Sequence, residues 1–342
     1  MSTRAFITGI AGTELTAAER AFIRAERPWG FILFKRNVAT PAQVAVLVAE
    51  LRVEAGSPEA PVLIDQEGGR VQRLGPPHWP VYPPGAVFST LYDIDSGLGL
   101  TAARLSARLI AADLADLGIT VDCLPLADVP VPGADAVIGN RAYGTEPGKV
   151  AAIARAVADG LAQGGVLSVL KHIPGHGRAT ADTHFKLPTV ETPVDELERT
   201  DFAAFRPLAD LPMAMTAHVV FSAIDPAQPA TTSATMIAQV IRGTIGFQGL
   251  LMSDDVSMNA LAGSIADRTR AIFAAGCDVA LHCNGNLDEM RAVAGETPEL
   301  SGAALARAQA ASASRKAPQP FDRATARAEL DALIARANTA SA

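Results

Sequence analysis

Eight short apolar runs recur along the chain, several of them rich in β-branched residues: Ala5 to Ile10, Gly30 to Phe34, Pro61 to Ile64, Ile119 to Leu124, Val166 to Leu170, Met213 to Thr216, Leu250 to Met252 and Cys277 to Leu281. Each is followed closely by Gly, Pro, Asn or a charged residue, as buried strands bounded by turns are. Between most of them, the stretches Thr40 to Ala55, Leu100 to Leu117, Pro147 to Gly160 and Ala266 to Ala275 repeat apolar residues at spacings of three and four. That is the period of a helix with one buried face. Strand and helix alternating eight times predict an α/β fold built as a single closed (β/α)8 TIM barrel; an open doubly wound sheet uses the same alternation, and the count favours the barrel. Residues 1–342 are accordingly read as one catalytic barrel domain. A mixed Ser, Ala, Lys and Pro segment, Ser312 to Pro320, precedes an Ala/Arg/Leu-rich stretch at about 322–337, expected to be a helical extension docked on the barrel.

Composition narrows the partner. The chain is 49% hydrophobic and 19% charged, enough aliphatic material for a large core and too little charge for disorder. A net charge of −7 without a run of lysines and arginines excludes an electrostatic footprint for nucleic acid or an anionic membrane. No stretch approaches the ~18 uninterrupted apolar residues of a membrane span, and the first residues lack a signal segment, so a soluble cytoplasmic protein is expected. The three cysteines, Cys123, Cys277 and Cys283, are odd in number and lack Cys-x-x-Cys spacing, which suggests neither a disulfide framework nor a structural zinc site. The expected partner is a small molecule.

In such a barrel the reactive groups sit where strands end, because the following loops share one mouth. Polar residues at those places are Asp65 and Glu67 in LIDQEGGRVQRL, Lys171 and His172 after VLSVL, His218 after MAMTA, Asp254 and Asp255 after LLMS, and His282 and Asn284 after DVAL; Arg141 lies in the inter-strand segment VIGNRAYG. Any one of them could be a strand surfacing into water; the set together points to a site. In LLMSDD, strand alternation puts Leu250, Met252 and Asp254 on one face and Leu251, Ser253 and Asp255 on the other, so only one aspartate is expected to aim at the barrel axis. Alternation alone does not say which, and both could instead cap the next helix.

The segment KHIPGHGRATADTH, residues 171–184, holds three of the six histidines. His172 and His176 are four apart, a metal-binding spacing on a helix, with Asp182 and His184 as further ligands. Pro174, Gly175 and Gly177 oppose a helix there, and the segment reads better as a loop over the barrel mouth. On that loop Asp182-Thr183-His184 forms a proton-transfer dyad, the aspartate fixing the imidazole's tautomer. An Asx turn with a solvated histidine is the plain alternative.

These strings, together with MTAHVVF and SDDVSM, occur in the order and at the spacings that resemble the cytoplasmic β-N-acetylhexosaminidases of glycoside hydrolase family 3, the NagZ type, from about residue 5 to residue 285. The resemblance implies a barrel enzyme that removes non-reducing terminal N-acetylglucosamine, in bacteria chiefly from peptidoglycan fragments carrying 1,6-anhydro-N-acetylmuramic acid. It implies Asp254 as nucleophile, Asp182 and His184 as a mobile acid/base dyad, and Asp65, Arg73, Arg141, Lys171 and His172 as the groups that hold sugar hydroxyls. It implies no cofactor and no metal. Ile173 stands where phenylalanine is usual, and Ala142-Tyr143 where Ser-Phe is usual, departures expected to bear on pocket shape. A phosphorylase using the same glycosyl-enzyme remains an alternative, because a neutral imidazole repels phosphate less than a carboxylate would. A metal-dependent hydrolase through His172, His176, Asp182 and His184 is a second, and Arg73 or Lys171 could serve as salt-bridge partners of Asp65 or Glu67.

Overall fold

Parallel strands of aliphatic residues bury both faces, one against the barrel interior and one against surrounding helices. The computed structural model describes residues 3–181, 183 and 186–340; the expected dyad, Asp182 and His184, lies outside the described residues. Among the described residues eight such strands close into a barrel: β1 (Arg4–Thr8), β2 (Pro28–Leu33), β3 (Val62–Ile64), β4 (Val121–Asp122), β5 (Leu167–Ile173), β6 (Met213–Thr216), β7 (Leu250–Asp255) and β8 (Val279–His282). Each pairs in parallel with its neighbours in sequence, and β8 returns to β1 through Phe6 opposite Ala280 and Thr8 opposite His282. Met213, Met215, Leu250 and Met252 join one buried cluster inside the barrel, while Ala214 and Leu251 belong to the larger one under the helices. Strand alternation is thus kept through the lower half of β6 and β7.

The helices start where short polar side chains can satisfy free amides. Thr40 caps the helix Pro41–Ala55 by accepting from the Gln43 amide, Pro41 presets the first turn, and Gly56 closes the helix at φ 62°. Asp95 caps the helix Ser96–Asp116 four residues ahead of the expected start, at the amides of Gly97 and Leu98. The helices Pro147–Gln163 and Ile265–Ala275 fall where periodicity places them. Ala17–Glu26, Gly85–Ile94, Leu287–Glu296 and Gly302–Ser314 complete turns that the apolar spacing does not announce.

The fourth strand is much shorter than the apolar run Ile119 to Leu124 predicts. Pro125 has no N–H to donate, so beyond Asp122 the pairing with β5 continues only irregularly: the Leu124 and Pro125 carbonyls accept from Val169 and Lys171, and the Ala127 amide donates to the Lys171 carbonyl at 2.7 Å. This edge carries residues 124–128 alongside the top of β5. The C-terminal helix, Arg323–Ala340, buries Ala326, Leu330 and Leu333, and Arg323 grips Asp116 with both terminal nitrogens. No helix among the described residues is long and apolar enough to cross a membrane. Cys123, Cys277 and Cys283 are buried free thiols.

Candidate active site

At the C-terminal mouth of the barrel a cavity of about 320 Å³ is lined by Phe34, Asp65, Glu67, Arg73, Arg141, Lys171, His172, His176, Asp254 and Asp255, among others. Every described residue for which the resemblance implies sugar binding or nucleophilic attack therefore meets in one place.

Three cations and two carboxylates form its wall. Lys171, 2% exposed, places Nζ 3.0 Å from Asp65 Oδ1 and 2.7 Å from Glu67 Oε1. Arg73 donates to the other Asp65 oxygen at 2.9 Å. Arg141 holds Glu67 through two parallel bonds of 2.8 and 2.7 Å, the strongest form of such a pair. Burial alone pushes both acids upward, but the Lys171 ammonium and the guanidiniums outweigh it, holding Asp65 well below the usual carboxylate range and Glu67 at about 2. Burial works against the Lys171 charge too, and the two carboxylates reverse it, so the ammonium is retained. The salt-bridge reading of Arg73 and Lys171 is realised, and both side chains also line the cavity. Arg141 reaches Glu67 from a 3-10 turn, Gly139–Arg141, against which Gly85 sits so closely that a Cβ there would lie 2.2 Å from the Arg141 carbonyl oxygen.

Both aspartates of β7 line the cavity, not one as alternation predicts. The register between β7 and β8 shifts between Met252 and Asp255, so the period of two fails at the strand's tip. Hydrogen bonds then separate the pair. Asp255 accepts from the Ser257 amide at 3.1 Å, the Ser257 hydroxyl at 2.6 Å and the Cys283 amide at 3.1 Å, which commits both its oxygens to structure. Asp254 accepts only the Asp255 amide, at 2.8 Å, among the described residues. Burial raises the Asp254 carboxyl, but His218, His172 and that amide outweigh it, and it stays below its ordinary value. Thr216 supports it by accepting the Asp254 amide at 3.3 Å, and Thr216, Thr231 and His218 continue the chain to the Asp255 carbonyl.

His172 and His176 stand with ring centroids 5.6 Å apart, with no helix in the described part of 174–188. Their common partner is Asp128, which is not among the strand-end residues the sequence singles out although it stands within the apolar string CLPLADV. It accepts from His172 Nδ1 at 2.7 Å and from the His172 and His176 amides at 3.2 and 2.7 Å. His176 contacts the Thr183 hydroxyl at 3.4 Å. Burial lowers the His176 imidazole to about 4, from an ordinary ~6.5. Between those values the unfolded chain binds a proton that the folded chain does not, so this residue erodes stability as pH falls from about 6.5 to about 4. His176→Gln is expected to flatten that limb by roughly 3 kcal/mol in urea titrations at stepped pH; an unaltered slope would contradict the burial argument.

His282 and Asn284 do not line the cavity: both bond Glu289 at 3.2 and 2.6 Å. His218 is not in the lining either and bonds Thr231 at 2.8 Å and the Asp255 carbonyl at 3.0 Å. Ile173, Ala142 and Tyr143 are buried outside the lining, so the departures there alter packing behind the wall and not its face. Among the described residues no three His, Cys, Asp or Glu side chains are grouped to hold a metal ion. Two of the four ligands weighed for one, Asp182 and His184, lie outside the described residues.

The molecule is a closed parallel barrel with an ionised aspartate at the tip of its seventh strand, in a pocket lined by charged side chains. The glycosyl hydrolase family 3 N-terminal domain matches residues 9–312. A β-hexosaminidase of Xanthomonas campestris pv. campestris (strain B100) is 38% identical over 305 residues, 87% of this chain and 90% of that protein. Native NagZ from Neisseria gonorrhoeae superimposes with a TM-score of 0.82 at 33% identity, covering 98% of each chain, and the same protein in complex with N-trifluoroacetyl-D-glucosamine does so equally, covering 98% of this chain and 99% of that one. The chain belongs to glycoside hydrolase family 3, as a hydrolase of its β-hexosaminidase kind.

Proposed function

We propose that the chain is a retaining, exo-acting β-N-acetylglucosaminidase. The observation that carries this is the Asp254 carboxylate, kept ionised and left open on one oxygen among the described residues, in the same pocket as the Asp65, Lys171 and Arg73 cluster. Asp254 attacks the anomeric carbon and the glycosidic bond breaks, giving a covalent glycosyl-enzyme. His184, oriented by Asp182, protonates the leaving oxygen and then takes a proton from the water that releases the sugar. An imidazole titrating near ~6.5 does both at neutral pH without the burial that a second carboxylic acid needs. Asp65 accepts from sugar hydroxyls, Arg73, Arg141 and Lys171 donate to them, and His172 completes the cradle. The N-acylated glucosamine in the neisserial relative supports the sugar, and muropeptides carrying 1,6-anhydro-N-acetylmuramic acid, recycled in the cytoplasm, are the proposed source.

The test compares 4-nitrophenyl N-acetyl-β-glucosaminide with the β-glucoside, in EDTA, with and without phosphate. Hydrolysis of the N-acetylglucosaminide alone, indifferent to both additions and releasing the β-anomer first, is expected. A sugar 1-phosphate product would replace hydrolysis with phosphorolysis, inhibition by EDTA would restore the metal mechanism, and preference for the glucoside would remove the acetamido specificity. His184→Ala is expected to lose ~10²- to 10⁴-fold on substrates with poor leaving groups, while glycosylation by the nitrophenyl substrate is spared. Equal losses on both would contradict an acid role.

A further inference from the structure

We propose that Asp128 is a positioning residue that holds the proton of neutral His172 on Nδ1, so that Nε2 meets the substrate as an acceptor, an inference that rests on the reading of His172 as a sugar contact. Asp128 is wholly buried and reaches His172 through the irregular pairing of residues 124–127 with β5. Gly177 presses on the same segment: a Cβ there would lie 2.1 Å from the Val129 carbonyl oxygen, so no other residue permits this approach. The two carboxylate oxygens divide three N–H groups. Oδ1 accepts the backbone amides of His172 and His176, and Oδ2 accepts from His172 Nδ1. A carboxylate can only accept when ionised, and Asp128 is held at about 2 because His172 and His176 outweigh its burial. In neutral His172 the proton therefore sits on Nδ1, and Nε2 offers its lone pair to the other side of the ring. Lys171, Arg73 and Arg141 bring only donors to the cavity. His172 so adds an acceptor beside Asp65, and a sugar hydroxyl that accepts from a cation has somewhere to donate.

Asp128→Asn keeps the shape and inverts this logic. With its one oxygen taken by two amides, the asparagine turns its NH₂ toward Nδ1, which must then accept, and the proton moves to Nε2. The experiment is long-range proton–nitrogen correlation NMR on histidine-labelled protein at a pH where the ring is neutral, His172 being assigned by its absence in His172→Gln. The expected result is an Nδ1–H tautomer in the wild type and an Nε2–H tautomer in D128N. With it goes a fall in kcat/KM of about 10- to 100-fold on the nitrophenyl N-acetylglucosaminide, and no further loss when D128N is added to H172Q. An Nε2–H tautomer in the wild type overturns the inference even if D128N does not fold, and so do an unchanged tautomer in D128N or losses that multiply in the double variant. Full kcat/KM in H172Q overturns instead the sugar contact on which the inference rests.

Discussion

Asp254→Asn is expected to lower kcat/KM by at least about 10⁴-fold while leaving the fold intact. The amide oxygen can still accept the Asp255 amide, and the Asp254 amide can still donate to Thr216, so the local bonds survive. What disappears is the negative charge that the proposed mechanism directs at the anomeric carbon. The neighbouring Asp255→Asn is the matched comparison. Its carboxylate takes three hydrogen bonds from Ser257 and Cys283, and weakening them is expected to cost about 1–3 kcal/mol of stability with a much smaller kinetic effect. Steady-state kinetics and thermal melts of the two variants separate the roles. If D255N were the inactive variant and D254N the merely unstable one, the assignment of nucleophile would be reversed.

Lys171→Met is the second large effect, and it is felt in both stability and turnover. The ammonium lies between two buried carboxylates, so deleting the charge leaves Asp65 with Arg73 alone and Glu67 with Arg141 alone. Removing one partner of a buried network costs about 3–5 kcal/mol, because the remaining charges lose their compensation. The pH dependence carries the signature. Both acids are depressed in the folded state, Glu67 to about 2, so their contribution is complete above the unfolded values near ~4 and is lost as pH falls toward 2. Without Lys171, burial regains weight and both acids rise toward their unfolded values, so the pH span over which stability is lost shortens and its amplitude shrinks. Urea unfolding from pH 3 to 8 should show a lower plateau and a shallower acid limb. A limb as steep as that of the wild type would mean that the lysine does not hold these carboxylates ionised.

The barrel was legible because its signal is repeated and local. Eight runs of aliphatic residues carry their own burial, and helical periods between them carry theirs, so β2, β5, β6 and β8 and the helices from Pro41, Pro147 and Ile265 fall where the pattern places them. Charged residues just after a strand are legible for the same reason, and Asp65, Lys171, His172 and Asp254 all reach the mouth. That rule also returned His282 and Asn284, which turn to Glu289 instead; ending a strand says where a residue is and not what it faces.

Other features had no local signal. That both aspartates reach the mouth, with Asp255 bound up and Asp254 open, depended on a register shift against β8 and on donors from Ser257 and Cys283, the latter 28 residues away. Asp128 touches His172 across 44 residues, and Thr231 joins His218 to Thr216 with nothing in its neighbourhood to mark it.

From its order of residues alone this chain settles the strand count, the helical periods, the chemical types at the mouth and the resemblance that goes with them, since each depends on neighbours a few positions apart. Which carboxylate stays open, which cations neutralise Asp65 and Glu67, and how His172 is oriented were decided only by tertiary structure. Charge and hydrogen bonding act through space, and folding brings together partners that the linear chain keeps tens of residues apart.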